Sequence, residues 1–152
     1  MTETSTLIDA PAEAVYRLVA DPLRMAEWSP ECVGCRWIGG ASRVEAGARF
    51  RGTSRNGRRR WTTTSTITEV QPNERFAWEV TYFRQPVARW EYRVEPTGSG
   101  VRLVEAVEDR RGRLLRAISP LITGSPDRDK RNAETMHSTL HAIKAAAEAQ
   151  PH

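Results

Sequence analysis

The sequence predicts an α+β fold: about seven antiparallel strands in one sheet, a long C-terminal helix covering one face, and two short helices after the first strand. Three observations predict it. From residue 33 to residue 109 apolar and polar side chains alternate with period two, and turn residues recur at intervals of about ten, the pattern of an antiparallel meander. From 128 to 148, Ala133, Met136, Leu140, Ile143 and Ala147 recur at spacings of three and four, one apolar stripe along a helix. Ahead of both, residues 2–8 alternate weakly and run into Asp9-Ala10-Pro11, a strand handing over to a helix.

Each element has a local reason. Asp9 is placed to cap the first helix and Pro11 suits its first turn. That helix, 12–20, gathers Val15, Leu18 and Val19 on one side, and Asp21-Pro22 interrupts it; a short helical turn over 23–27 follows. The strands read 33–38, 48–54, 60–70, 75–83, 88–95 and 101–108. They are separated by Gly39-Gly40, Asn56-Gly57, Pro72-Asn73, Gln85-Pro86 and Gly98-Ser99-Gly100, with Asn56-Gly57 the strongest hairpin signal. The sharpest alternation sets Phe76, Trp78, Val80 and Tyr82, then Trp90, Tyr92 and Val94, against charged neighbours, so one face of the sheet is aromatic and the other solvated. Residues 113–125 carry Leu114, Leu115, Ile118, Leu121 and Ile122 with Pro120 among them, which reads as a short helix broken at the proline, or a lid over one end.

With 152 residues a single domain spanning 1–152 is expected, burying roughly two-thirds of its unfolded surface. No apolar run reaches ~18 residues and no basic-then-apolar leader opens the chain, so a soluble cytoplasmic protein without a membrane span is expected. The net charge of +4 is carried by arginine, Lys130 and Lys144 being the only lysines. Arg58-Arg59-Arg60 straddle a hairpin tip and no helix concentrates charge, so nucleic acid is not an expected partner. Five tryptophans outnumber the three phenylalanines and three tyrosines and fall in separate segments. Indoles line pockets as readily as they fill cores, so a concave aromatic interior is expected; Trp37 alone has no clear side.

The motifs, in order, are Ala10-Pro11-Ala12-Glu13-Ala14-Val15-Tyr16, Trp28-Ser29-Pro30-Glu31, Gly47-Ala48-Arg49-Phe50, Arg60-Trp61, Pro72 with Phe76-Ala77-Trp78, and Thr139-Leu140 with Ile143-Lys144. Over nearly the whole chain they resemble the START and Bet v 1-like (SRPBCC) superfamily, in its bacterial polyketide cyclase/dehydrase and lipid-transport branch. The resemblance implies a helix-grip fold, a curved sheet wrapped around the last helix with a cavity between them. It implies a hydrophobic, aromatic or polyketide-like ligand, bound without a cofactor and in some members cyclised or dehydrated. Two other classes stay open: a non-enzymatic lipid or small-molecule carrier or ligand sensor, and a protein-interaction module like the Hsp90-activating members, using the outer sheet face. A homodimer also stays open.

On that frame the expected ligand contacts are Trp28, Trp61, Thr63, Ser65, Phe76, Trp78, Trp90 and Glu105. Met136 and Leu140 join them from the terminal stripe. The candidate acid/base groups are Glu31, beside Trp28 at the expected mouth, with Tyr82, Tyr92 and His137. Each has a plainer reading. Glu31 can bond backbone amides or an arginine, the threonines of 62–68 suit any strand, Glu105 is solvated if the last strand faces the other way, and His137 can face solvent. Cys32 and Cys35 with His137 and His141 only superficially match a zinc pattern, because the pairs lie at opposite ends of the chain; no metal is expected. A redox disulfide is not expected either, since the chain lacks a thioredoxin-like element order.

Overall fold

In the computed structural model, which describes residues 1–151, every period-two stretch is a strand. They are β1 (Thr2–Ile8), β2 (Cys32–Ile38), β3 (Arg49–Asn56), β4 (Arg59–Gln71), β5 (Arg75–Tyr82), β6 (Gln85–Pro96) and β7 (Val101–Asp109). All pair antiparallel in one sheet of order β1-β7-β6-β5-β4-β3-β2, so the first strand closes the sheet beside the last, Thr2 opposite Val107 and Ile8 opposite Val101. Gly100 turns the chain tightly at that seam, where a Cβ would lie 2.2 Å from the Ile8 carbonyl oxygen. Helix α1 (Ala12–Val19), a 3-10 turn (Pro22–Arg24) and α2 (Met25–Trp28) link β1 to β2; α3 (Arg113–Thr123) and α4 (Arg128–Ala149) follow β7.

Helix α4 lies in the concave face, burying Thr135, Met136, Thr139, Leu140, Ile143 and Ala147. The densest packing is at the α1 end, where Val15, Phe76, Leu103 and Ile143 are fully buried. Burial there stabilises the fold at about 25 cal/mol per Å² of apolar area removed from water.

The outer face is charged, as the alternation predicts, but it is not simply solvated. Small Ala77 and Ala106 flank Glu91 on adjacent strands, leaving room for arginine stems to lie across the sheet. Glu91 is buried there and takes Arg93 at 2.9 Å, Arg89 at 3.4 Å and Arg75 at 3.5 Å. Burial pushes its carboxyl up, but the Arg93 hydrogen bond and the three guanidinium charges outweigh burial and hold it below the ordinary carboxylate range. Glu91→Gln should therefore destabilise the fold by about 1–3 kcal/mol in urea unfolding near neutral pH. Because the folded value is depressed, that difference should shrink as pH falls through the carboxylate range.

Four local expectations are corrected. Asp9 does not cap α1: Pro11 occupies the cap position with no side-chain bond, and the Asp9 amide instead donates to Glu148 at 2.9 Å. Ala133 faces solvent, and Thr135 and Thr139 complete the buried stripe of α4 in its place. The β5–β6 turn is Phe83-Arg84 rather than Gln85-Pro86; both residues have positive φ, 47° and 66°, as a two-residue hairpin of the primed kind requires. Helix α3 continues through Pro120 and ends at Gly124 in the left-handed region. Its docked side is Leu115, Ser119 and Thr123, while Leu114, Ile118 and Leu121 point outward. Asn56 pins the helix end by donating to the Thr123 carbonyl and the Ser125 hydroxyl, both at 2.9 Å.

Candidate ligand cavity

Between the sheet and α4, towards α2, α3 and the α4 N-terminus, the packing opens into a cavity of about 290 Å³. Strand alternation aims its walls. On β4 the odd residues Trp61, Thr63 and Ser65 face in, with Ile67 buried beneath them, and Thr62 and Thr68 face out. On the paired rung of β5 and β6, Trp78 and Trp90 lie nearly parallel, centroids 6.4 Å apart and planes 12° apart. Tyr92 sits 5.8 Å from Trp78, and Met136 meets the indoles from α4. The result is an aromatic slot with hydroxyls along one side.

Glu105 lies on the inner face of β7, opposite Tyr92 on β6, and is 4% exposed. No cation faces it. Burial pushes its carboxyl up to about 8, against a smaller opposing pull from the Tyr92 hydrogen bond. The group is therefore protonated at neutral pH. Burial first, then Glu105 and Cys32, push the Tyr92 phenol well above its ordinary value. One Glu105 oxygen, Oε1, has no hydrogen-bond partner, and neither has the buried indole nitrogen of Trp28. These are the two unpartnered buried side-chain polar atoms among the described residues, and both residues line the cavity.

At the mouth, Glu31 is buried and bound by α4. Arg128 holds it through both guanidinium nitrogens, one at 3.2 Å, and Arg131 approaches at 3.4 Å. The Arg128 guanidinium also lies over the Trp61 ring, 5.7 Å from its centroid. Under α3, Arg111 bridges Asp109 at 2.8 Å and the Ser119 hydroxyl at 3.1 Å. The Arg111 hydrogen bond outweighs burial and holds the Asp109 carboxyl below its ordinary range. The cavity thus has two ion-paired rims and a neutral acid inside.

Eight of the ten expected ligand contacts line this space: Trp28, Trp61, Thr63, Ser65, Trp78 and Trp90, with Glu105 and Met136. Phe76 and Leu140 do not reach it; both are buried in the closed core beyond Trp78. Of the expected acid/base groups Tyr92 lines the cavity, hydrogen-bonded to Glu105. Glu31 lines it but is engaged by two arginines, the plainer of its two readings. Tyr82 lies past the register shift between Val80 and Thr81, packing edge-on against Phe83 outside the cavity. His137 is exposed on α4, one position round the helix from Met136, and His141 is exposed with it, so neither joins the cysteines. Trp37 pairs with Phe50 edge to face at 6.3 Å, on the α1 side of the sheet.

Three contributions were not foreseen. Arg111 with Asp109 and Ser119 forms the α3 rim, although β7 alternation already put Asp109 on the Glu105 side. Asn132, one helical turn after Arg128, supports that guanidinium at 3.0 Å. Cys32 and Cys35 both line the cavity, which spacing alone forbids on a regular strand; a register shift between Cys32 and Gly34 brings it about.

A curved antiparallel sheet gripping its last helix around an aromatic cavity defines a helix-grip protein of the SRPBCC, START and Bet v 1-like class. Within it, the chain belongs to the family described as polyketide cyclase/dehydrase and lipid transport, whose model matches residues 2–148. The solution structure of the polyketide-cyclase-like protein Cgl2372 from Corynebacterium glutamicum is 30% identical, with 97% of this chain covering 90% of that one at a TM-score of 0.59. The di-domain ARO/CYC StfQ of the steffimycin biosynthetic pathway aligns with 97% of this chain over 50% of its own, at 13% identity and a TM-score of 0.75. Major latex-like protein 151 from Panax ginseng shares the fold at 12% identity, covering 99% of this chain and 97% of its own, with a TM-score of 0.72. No curated protein matches the sequence. No helix among the described residues is long and apolar enough to cross a membrane.

Proposed function

We propose that the protein binds a compact hydrophobic molecule, aromatic or polyketide-like, in the cavity between sheet and α4. The observation that carries this reading is the pair of unpartnered buried polar atoms, Trp28 Nε1 and Glu105 Oε1, in an otherwise aromatic wall. Buried polar atoms are almost always paired, so these two await a guest with an acceptor for the indole N–H and a hydroxyl or carbonyl for the neutral acid. The volume, about 290 Å³, sits at the small end of the ~300–1,000 Å³ typical of ligand sites, and favours a few fused rings over a long acyl chain. Titration with a planar hydroxyanthraquinone should quench tryptophan fluorescence saturably at one molecule per chain, and Trp90→Ala should weaken it at least tenfold. Linear, unsaturable quenching in the native protein would contradict binding.

A second reading, cofactor-free cyclisation or dehydration in the same cavity, is favoured by the neutral Glu105. Expelling a hydroxyl as water needs a proton donor, and the α-proton needs an acceptor; a buried carboxyl near the operating pH is suited to give the first proton and, as the carboxylate left behind, to take the second, with Tyr92 beside it to hold the substrate oxygen. In a β-hydroxyketone substrate, Glu105→Gln should slow dehydration by about 10²–10⁴-fold with KM little changed. Unchanged turnover in that variant would remove Glu105 as the proton donor, and no turnover by the parent would leave the protein a carrier or sensor, with the same residues only binding.

A further inference from the structure

We propose that Cys32 and Cys35 are a redox-active dithiol in the cavity wall and close to a reversible disulfide. The inference rests on β2 geometry and stands independently of the ligand reading. Residues three apart on a regular strand point to opposite faces. Here Cys32 pairs with Ser54, Gly34 with Thr53 and Cys35 with Gly52, so Val33 is the extra residue of a β-bulge. The two cysteines therefore stand opposite partners only two apart on β3. By the strand rise their Cα atoms are about 6.6–6.8 Å apart, at the upper edge of the disulfide range. Their side chains are same-face neighbours, and the sulfurs lie 3.9 Å apart, unbonded.

Two further features fit a dithiol. The residue facing Cys35 is Gly52, where even a Cβ would sit 3.4 Å from the Cys35 sulfur, so the wall keeps space for the thiols to turn. The pair is also polarised: the contact with the Cys35 sulfur, then the Gly34 amide, lower the Cys32 thiol despite burial, while the same contact and burial raise Cys35. With that polarity Cys32 attacks and Cys35 resolves, an order the single-cysteine variants test.

The oxidant is a small-molecule disulfide, RSSR, meeting the half-buried thiols on the edge strand β2. The Cys32 thiolate attacks one sulfur of RSSR, the S–S bond breaks, and RS⁻ leaves and takes up the proton Cys32 gave to solvent. Cys35, on losing its own proton, attacks the Cys32 sulfur and expels the second RS⁻, which is protonated in turn. Two electrons pass from the dithiol to RSSR, which ends as two RSH. An excess of RSH runs the same two exchanges backward, so the step is reversible.

The test uses the full chain in glutathione buffers of graded ratio, acid-quenched, alkylated after denaturation and weighed intact. The expected result is a monomer that loses two hydrogens and both alkylatable thiols together, half-converted within the glutathione range, and regains them with dithiothreitol. Cys35→Ser should instead accumulate one glutathione adduct on Cys32, and Cys32→Ala should show neither product. Two free thiols at every ratio would overturn the proposal. Two glutathione adducts per chain, or a disulfide between chains, would overturn it equally.

Discussion

Glu105→Gln should make the protein more stable at pH 8.5 than the parent while leaving it nearly unchanged at pH 5. In the unfolded chain Glu105 ionises near the ordinary 4.5, whereas in the fold burial holds its proton up to about 8. Between those values the folded state binds the extra proton, so the parent loses stability as pH rises from 4.5 to about 8 and is level above it. At 1.36 kcal/mol per pH unit the loss is at most about 3–5 kcal/mol. Glutamine keeps a donor and an acceptor beside Tyr92 without the ionisation, so it removes the slope. The depressed carboxyls, Glu91 and Asp109, act in the opposite sense and at lower pH, where stability falls as they protonate. They cancel in the difference between parent and variant. Urea unfolding at the two pH values checks this; an equal shift at both, or a variant weaker at pH 8.5, would show that Glu105 is not a buried neutral acid.

The second large effect belongs to the cavity wall. Ser65→Phe, in the middle of β4 and 3% exposed, places a ring in the space between Trp78 and the α4 threonines. Because the space already exists, the ring fills it rather than overpacking a closed core, and stability should move by no more than about 1 kcal/mol. Binding of the anthraquinone probe should weaken at least 100-fold, about 2.7 kcal/mol. Thr62→Phe, on the exposed side of the same strand, is the control and should leave binding unchanged. Equal binding by both variants would place the probe outside the cavity.

These two predictions depend on different amounts of sequence information. The faces of β5 and β6 were readable from alternation, because aromatic and charged residues segregate cleanly there and one register satisfies both. β4 was readable only as a strand: threonines occupy both faces, and pairing of Ser65 with Phe50 and Val80 decides which side is inward. Glu105 was ambiguous because Val104 and Ala106 are as apolar as Leu103 and Val107. Both sets are buried, the outer one beneath arginine stems. Tyr82 and the two cysteines escape the alternation for one reason: each lies beside a register shift, and an extra residue in one strand leaves no compositional mark. His137 shares its helix with the buried stripe, but a single position of rotation carries it into solvent.

The mouth shows the same division. Trp28-Ser29-Pro30-Glu31 marked the place, but the partner of Glu31 comes from Arg128, 97 residues away, and no local pattern announces a clasp closed by tertiary packing. That clasp ties the chain just before β2 to α4, the plainer of the two readings of Glu31. Glu105, further in on β7 and 4% exposed, carries no such partner.

The most direct test of the cavity as a binding site is a crystal structure of the protein grown with the hydroxyanthraquinone probe. Density for one probe is expected between Trp78, Trp90 and Met136, with polar atoms within hydrogen-bond distance of Trp28 Nε1 and Glu105 Oε1. A sheet collapsed onto α4 with no void, or probe density only on the outer face, would contradict it.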